Sequence, residues 1–283
     1  MPLYAVLPSP GEGLGCFSTT FIPAGTRILV EKPLFAVREP RSNPAVTEAF
    51  SQLPIAQQAQ YLALYAQDPT NQGDAQVVDI FNSNAWQTEG RTSILPSCAR
   101  FNHSCIPNAS FAWNSRLSSA TIHAVVDIPP KTQIYLSYEK PYQNLEERRA
   151  KLASYGFICS CPACGSDVEA SEIRRTRMVV LDGRIRVGRR QKWKADIPKA
   201  ALELLRLVKE EGLMGEALAL AYHDVAMGYV KLGRLDLALR YAVKELEVGI
   251  RCYGTDSLYV DTTRTFLKEL RLDEVGMRDA VAD

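Results

Sequence analysis

The 283-residue sequence lacks the features that mark membrane and secreted proteins. No apolar run approaches the roughly 18 residues that a membrane-spanning helix needs. The opening segment MPLYAVLPSP has neither the basic part nor the long apolar part of a secretion signal. The net charge of +1 gives the whole molecule no electrostatic bias towards DNA or lipid. We therefore expect an intracellular protein, nuclear or cytoplasmic, that does not bind membranes.

Cysteine is also sparse, and its distribution is uneven. The seven cysteines are Cys16, Cys98, Cys105, Cys159, Cys161, Cys164 and Cys252. An odd number spread over a long chain does not suggest a disulfide framework, and no secretion signal points to an oxidising compartment. Clustered cysteines in a reducing compartment are typical of metal sites.

The chain is 46% hydrophobic and 23% charged, which is typical of an ordered globular protein. Residues 1–35 alternate short apolar runs with glycine and proline, a pattern that predicts strands and turns. Residues 44–68 and 76–87 have apolar residues at helical spacing. Strands return between 92 and 138, in the segments SFAW, ATIHAVV and QIYLSY. A charged helix follows over 144–154, with Asn144 as its N-cap.

The chain beyond about residue 170 is predicted to be helical. The expected helices are 198–211, 213–231, 235–252 and 256–271. Small residues that suit close helix packing are Ala217, Ala221, Ala226, Ala238 and Ala242. With the Leu-Gly-Arg turn at 232–234, they resemble a tetratricopeptide-type (TPR-like) hairpin followed by half of another. A generic helical bundle is the alternative.

The segment CSCPAC at 159–164 predicts a metal site, because it places three thiols at C-x-C-x-x-C spacing. Structural zinc takes four tetrahedral ligands, mostly thiolates, so a fourth must come from elsewhere. The alternative is a group of buried cysteines that cluster by chance.

The segment FNHSCIPN at 101–108 contains the best candidate for that ligand. A nucleophilic Cys105 would need a base and an orienting group, and His103 is poorly placed as the base. Pro107, with Asn102 and Asn108, favours a rigid turn over a reactive loop. Cys105 as the fourth ligand would clamp this turn against residues 159–164.

These segments together resemble SET-domain methyltransferases of the SMYD-like type. The resemblance rests on GEGLGCF at 11–17, RFNHSCIPN at 100–108, IYLSY at 134–138 and SYGFICSCPAC at 154–164. It implies an α+β fold of small sheets with a pseudoknot, in which the chain after Tyr138 passes beneath the Asn102–His103 loop. The implied domains are a SET domain at 1–140 with a helical insert at about 44–92, a zinc-binding post-SET segment at 141–168, and a TPR-like domain at 169–283.

The resemblance also implies the site residues. Binding of S-adenosylmethionine is expected from Gly13, Leu14, Gly15, Asn84, Asn102, His103, Tyr138 and Phe157. Structural zinc is expected on Cys105, Cys159, Cys161 and Cys164. Tyr138 and Tyr155 are the expected catalytic residues of a lysine channel. Taken singly, Asn102 would be a turn former, His103 a hydrogen-bonded histidine, Phe157 a core residue and Tyr138 a strand aromatic; the joint pattern favours the functional interpretation.

The sequence departs from the family pattern at two points: residues 36–80 contain no cysteine and so no MYND zinc finger, and the helical tail is short. The basic run from Arg174 to Lys194 holds nine Lys or Arg, which predicts a solvated helix face, with contact to nucleosomal DNA or to an acidic partner as the weaker alternative. The expected protein is a monomeric protein-lysine methyltransferase whose substrate is a protein or peptide, histones included. The alternatives are an idle binding module and a SET-fold enzyme for a small molecule.

Overall fold

A computed structural model describes residues 2–190 and 197–282 of the chain. Within them, the strands are β1 (Tyr4–Ser9), β2 (Gly13–Ser18), β3 (Arg27–Glu31), β4 (Phe35–Arg38), β5 (Ala85–Thr88), β6 (Arg91–Ile94), β7 (Ala109–Asn114) and β8 (Ser119–Ala124). These short strands form three antiparallel sheets, with the orders β1-β2, β3-β8-β7 and β4-β6-β5. The expected α+β class of small sheets is confirmed.

The helical insert lies between β4 and β5. It consists of α1 (Asn43–Ser51), α2 (Ile55–Leu62) and α3 (Gly73–Asn84). The long helical segment expected at 44–68 is interrupted, because Pro54 has no N–H to donate and starts a new helix instead. The three helices and the β4-β6-β5 sheet share an apolar core that includes Val46, Tyr61 and Phe81.

Residues 85–87 were predicted to be helical, and this is wrong. Helix α3 ends at Asn84, and the chain continues directly into β5, which pairs with β6. Glu89 and Gly90 both have positive φ, at 34° and 74°, as the tight turn of a two-residue hairpin requires. Trp86 and Thr88 also suit a strand better than a helix.

The segment QIYLSY was predicted to be a strand, but the structure forms only isolated bridges there, Phe17 with Gln133 and His103 with Leu136. On one side Ile134 N donates to the Cys16 carbonyl at 2.7 Å. On the other side Leu136 N donates to the Asn102 carbonyl at 2.9 Å. The segment therefore lies between β2 and the Asn102–His103 loop. The passage of the chain after Tyr138 beneath this loop stays a prediction.

The second half of the chain is helical. Its helices are α4 (Leu145–Ala153), α5 (Val168–Arg190), α6 (Ile197–Glu210), α7 (Glu216–Lys231), α8 (Leu235–Tyr253) and α9 (Leu258–Ala282). Asn144 is the N-cap of α4, as predicted, and forms a capping box with Glu147. The turn at 232–234 also joins α7 to α8 as predicted. Consecutive helices from α5 to α9 pack against each other, whereas a TPR-like architecture stays a prediction.

The helices also pack against the sheets. Helix α8 contacts β7 and β8, and Arg27 of β3 forms an ion pair with Asp256 just before α9. The Tyr142 hydroxyl donates to the Ala217 carbonyl at 2.6 Å, so the chain leaving the sheets is anchored to α7. No helix in the described ranges is both long enough and apolar enough to cross a lipid bilayer.

Candidate functional site

Four cysteine thiols from two distant segments meet at one point. The Sγ atoms of Cys105, Cys159, Cys161 and Cys164 all lie within 4.8 Å of one another. Cys105 Sγ is 3.9 Å from Cys159 Sγ and 3.5 Å from Cys164 Sγ. Local backbone bonds shape the second segment, since the N–H groups of Cys164 and Gly165 both donate to the Cys161 carbonyl. The structure thus brings together the four residues that the sequence predicted as ligands.

The dimensions of this cluster suit zinc. Four sulfurs placed tetrahedrally at the Zn–S distance of about 2.3 Å would be about 3.8 Å apart. Hydrogen bonds among the four thiols also shift their pKa values. The bonds from Cys105 to the other three thiols raise the pKa of Cys105. The bond between Cys105 and Cys164 lowers the pKa of Cys164 to about 6. A divalent cation would remove this competition by stabilising all four thiolates.

His103 connects the thiol cluster to Tyr138. Its Nδ1 accepts the Tyr138 backbone N–H at 3.0 Å, which leaves the proton on Nε2. Nε2 lies 3.3 Å from Cys105 Sγ and is oriented to donate to it. Burial lowers the pKa of His103 to about 4, so the ring is neutral near pH 7. Because both ring nitrogens are used, any contact of His103 with a cofactor would involve its backbone.

Tyr138 lies at the centre of a group of aromatic rings. Its ring centroid is 5.4 Å from Tyr155, 6.5 Å from Phe157 and 5.7 Å from Trp86. Its hydroxyl donates to the Phe101 carbonyl at 2.6 Å, and burial raises its pKa well above the ordinary value. The predicted aromatic residues therefore do meet. Trp86 was missed, although its position two residues after Asn84 in NSNAW was a usable signal.

A group of polar side chains lies next to this aromatic group, beside Gly15. A Cβ added to Gly15 would be 2.5 Å from Gln133 Nε2 and 3.1 Å from Asn102 Nδ2, so any larger residue here would displace these side-chain amides. Asn102 Nδ2 donates to the Leu14 carbonyl at 3.0 Å. Glu12 accepts from Gln133 Nε2 at 3.0 Å. Sequence reasoning missed Gln133 and Glu12, because neither belongs to a motif that identifies its partner.

The remaining predicted cofactor residues are placed differently. Gly13 is exposed and has φ of 74°, which suits a glycine at the start of β2. Asn84 is buried, and its Nδ2 donates to the carbonyls of Tyr65 and Ile80, both at 2.7 Å. These contacts lie within the insert, so a contact between Asn84 and a cofactor stays a prediction.

The basic run is not a simple solvated face. Acidic partners are present for its described arginines Arg174, Arg175, Arg177, Arg186 and Arg189. Arg175 is only 3% exposed. The end of the run, residues 191–194, lies outside the described residues. Burial of Arg175 favours a structural role for that residue, whereas the side chains of Arg177, Arg186 and Arg189 are 46%, 67% and 40% exposed, as a solvated face predicts. Contact with DNA or an acidic partner stays the weaker alternative.

Comparison with known proteins gives an extended match to a curated relative. A SET-domain profile matches residues 13–139. The histone-lysine N-methyltransferase set5 of Schizosaccharomyces pombe is 31% identical over 267 residues, covering 90% of this chain and 80% of that protein. The human protein-lysine N-trimethyltransferase SMYD5 is 36% identical over 86 residues, covering 28% of this chain and 20% of that protein. Likeness to SMYD proteins is thus supported over part of the chain.

Among solved structures, the Neurospora SET-domain protein DIM-5, a histone lysine methyltransferase, aligns with 50% of this chain and 54% of its own. The identity is 14% and the TM-score is 0.29, which is too low to carry an argument about the site.

Proposed function

The chain belongs to the SET-domain family, and from this premise we propose that it is a protein-lysine N-methyltransferase that uses S-adenosylmethionine. The observation that carries the proposal is the group of aromatic rings around Tyr138, adjacent to the close contact between Gly15 and Asn102. We propose that these rings would line an apolar site for an amine and that the polar side chains beside Gly15 would hold a cofactor.

The aromatic rings suit a lysine side chain. The faces of Trp86 and Tyr155 attract a cation or a partly charged amine, and they exclude water from the aliphatic stem. A lysine must lose its proton before it can act as a nucleophile, which costs about 4–5 kcal/mol at pH 7. Desolvation between the rings reduces that cost, since it disfavours the charged form.

Tyr138 would orient the amine. Its hydroxyl proton is committed to the Phe101 carbonyl, so the oxygen lone pairs remain to accept an N–H from the substrate. Its raised pKa keeps the hydroxyl protonated, which means that Tyr138 is an orienting group and not the base. Tyr155 would form the opposite wall. Fixed orientation of this kind accounts for much of the rate gain in a bimolecular transfer.

S-adenosylmethionine, when bound, supplies an electrophilic methyl group. The residues proposed to hold it are Gly15, Asn102 and Phe157, together with the backbone of His103. Gly13, Leu14 and Asn84 are proposed on the family resemblance alone. The partial charges of the Asn102 amide suit the amino-acid end of the cofactor, and the Phe157 ring suits its adenine.

Zinc on the four cysteines is proposed to be structural. A centre closed by four thiolates has no position for a substrate, so its role is to hold residues 159–164 against the 101–105 turn. The proposed substrate is a lysine-bearing protein, with histones suggested by the name of the set5 relative. A monomer in the nucleus or cytoplasm is part of the same proposal.

The first experiment is calorimetric titration of zinc-replete protein with S-adenosylmethionine and its demethylated product. We expect micromolar binding that Asn102→Ala weakens strongly and Asn82→Ala leaves unchanged, because Asn82 is exposed on α3. Peptide arrays with labelled cofactor would then identify the lysine. Absence of binding by folded protein would contradict the enzyme proposal and favour a binding module, whereas methylation of metabolites but not peptides would favour a small-molecule enzyme.

A further inference from the structure

Two buried arginines from the helical region contact the segments that carry the cysteines. Arg148 of α4 is 1% exposed and Arg175 of α5 is 3% exposed. A buried guanidinium costs several kcal/mol unless hydrogen bonds and negative charge compensate it. The hydrogen-bond partners of each arginine therefore indicate which segment it stabilises.

Arg148 is directed at the second cysteine segment. Its Nη2 donates to the Ala163 carbonyl at 3.2 Å and lies 3.7 Å from Cys164 Sγ, and its Nη1 donates to the Gln143 carbonyl at 2.9 Å. Among the described contacts, its hydrogen bonds go to carbonyls and to sulfur, and none goes to a carboxylate. Four thiolates around a divalent cation carry a net charge of about −2, which would compensate this buried positive charge.

Arg175 is directed at the first cysteine segment. Its Nη2 donates to the Cys105 carbonyl at 2.7 Å, and its Nε donates to Glu211 at 2.6 Å. The Glu211 carboxylate, at the end of α6, is fully buried and also accepts from Arg174 Nε at 2.6 Å and the Ser171 hydroxyl at 2.5 Å. Three donors fix this carboxylate, so it holds Arg175 in one orientation against Cys105.

The backbone that follows Glu211 also approaches the cysteine turn. A Cβ added to Gly212 would lie 3.4 Å from Ile106 Cγ2, one residue beyond Cys105. The end of α6 is therefore seated on the turn that carries Asn102 and His103. A displacement of Cys105 would be transmitted to Tyr138 through the His103 ring.

We propose that Arg148, Arg175 and Glu211, here called the arginine clamp, are positioning residues for the four-cysteine metal centre. The helices α4 to α6 are then part of this centre and not only a surface for partners. Arg148 compensates the charge of the thiolates, while Arg175 and Glu211 fix the backbone of Cys105. This inference rests on the proposed zinc site.

The test measures zinc release from the full chain to an excess of chelator. The variants are Arg148→Met, Arg148→Lys, Arg175→Lys and Glu211→Gln. Removal of a group that orients metal ligands typically weakens metal affinity 10–100-fold, so we expect release at least about tenfold faster. In cobalt-loaded protein we also expect the thiolate-to-cobalt absorption band to shift in both Arg148 variants, because their contact with Cys164 Sγ is altered.

Two matched controls separate positioning from general stability. Arg177→Lys and Glu203→Gln alter an exposed ion pair of 2.8 Å between α5, which carries Arg175, and α6, and should leave release unchanged. Leu204→Ala removes a fully buried side chain from α6, so it should lower the melting temperature without shifting the cobalt band.

The outcomes are distinguishable. Wild-type protein that is folded but holds no zinc would overturn the zinc site itself, and the clamp with it. Suppose that wild-type protein holds zinc, but the folded clamp variants release it at the same rate as Arg177→Lys. That result would overturn the clamp alone. If Arg148→Met does not fold, the conservative Arg148→Lys and Glu211→Gln variants decide the question by the same comparison.

Discussion

The sheet-containing half and the helical half of this molecule are held together in different ways. In the first half, the site depends on bonds between segments far apart in sequence, such as Leu136 N to the Asn102 carbonyl and Tyr138 N to His103. In the second half, each helix from α5 to α9 packs on the next along the chain. A substitution in the local apolar packing is expected to lower the stability of the helices, whereas the site loses its geometry when any one of its distant segments moves.

Two buried glutamates in the helical half differ in the same way, because one has local partners and the other is connected to the site. Glu245 accepts from His223, Tyr259 and Thr263, all within α7 to α9. Glu211 instead connects α5 and α6 to the turn that carries Cys105. The first network is internal to the helices, and the second joins the helices to the site. We therefore expect Glu245 to affect stability only.

The largest effect is expected from breaking the cysteine cluster. Cys161→Ser should abolish stoichiometric zinc binding, because serine provides no thiolate. It should also abolish cofactor binding, since residues 155–157 directly precede the cluster. Zinc content by mass spectrometry and calorimetry measure both. Cys252→Ser is the control, as Cys252 is buried in the helical half outside the cluster, and a loss of zinc in that variant would contradict the assignment.

The next largest effect is expected from the Tyr138 hydroxyl. Tyr138→Phe should reduce methyl transfer about 10²-fold, because misplacement of a reacting group by about 1 Å can cause a loss of that size. Cofactor affinity and zinc content should stay close to wild type. Tyr65→Phe is a suitable control, because Tyr65 is 53% exposed. Unchanged single-turnover rates in Tyr138→Phe would exclude Tyr138 as an orienting group.

A smaller effect is expected from overpacking the helices. Ala242 is fully buried within the core formed by α7, α8 and α9. Ala242→Leu should lower the free energy of unfolding by about 1–3 kcal/mol, as overfilled cores usually do. Denaturant titration measures this change. If zinc content or cofactor affinity of the folded variant also fell, the proposed independence of these helices from the site would be wrong.

The smallest effect concerns His123, where the two halves meet. His123 Nε2 accepts from Arg27 Nε at 3.0 Å, and burial, followed by the charge of Arg27, lowers its pKa to about 4. The unfolded chain therefore binds more protons between pH 6.5 and pH 4, so stability is lost as the pH falls through this window. The slope from this group is at most about 1.4 kcal/mol per pH unit. His123→Gln keeps an acceptor for Arg27 and should reduce the measured slope; an unchanged slope would contradict this assignment.

Sequence reasoning succeeded where a motif specifies its own chemistry. The four cysteines were identified by their spacing and by the need for a fourth ligand, and Tyr138, Tyr155, Phe157 and His103 do converge. It failed where a local signal was ambiguous. The helical spacing at 85–87 was overridden by the Glu89–Gly90 turn, and the alternation at 134–138 gave no regular strand because its two neighbours lie on different segments.

The sequence by itself determined the C-x-C-x-x-C group of cysteines, the Asn144 cap, the order of helices and the family, because each depends on residue types at short spacing. Only the tertiary structure decided that Trp86 joins the aromatic group, that Gln133 faces Gly15, and that Arg148 and Arg175 reach the cysteine segments. A basic run on a helix looks the same in sequence whether its arginines face water or a buried carbonyl, as Arg175 does. Their role depends on which distant carbonyls and thiols the fold brings within hydrogen-bond distance.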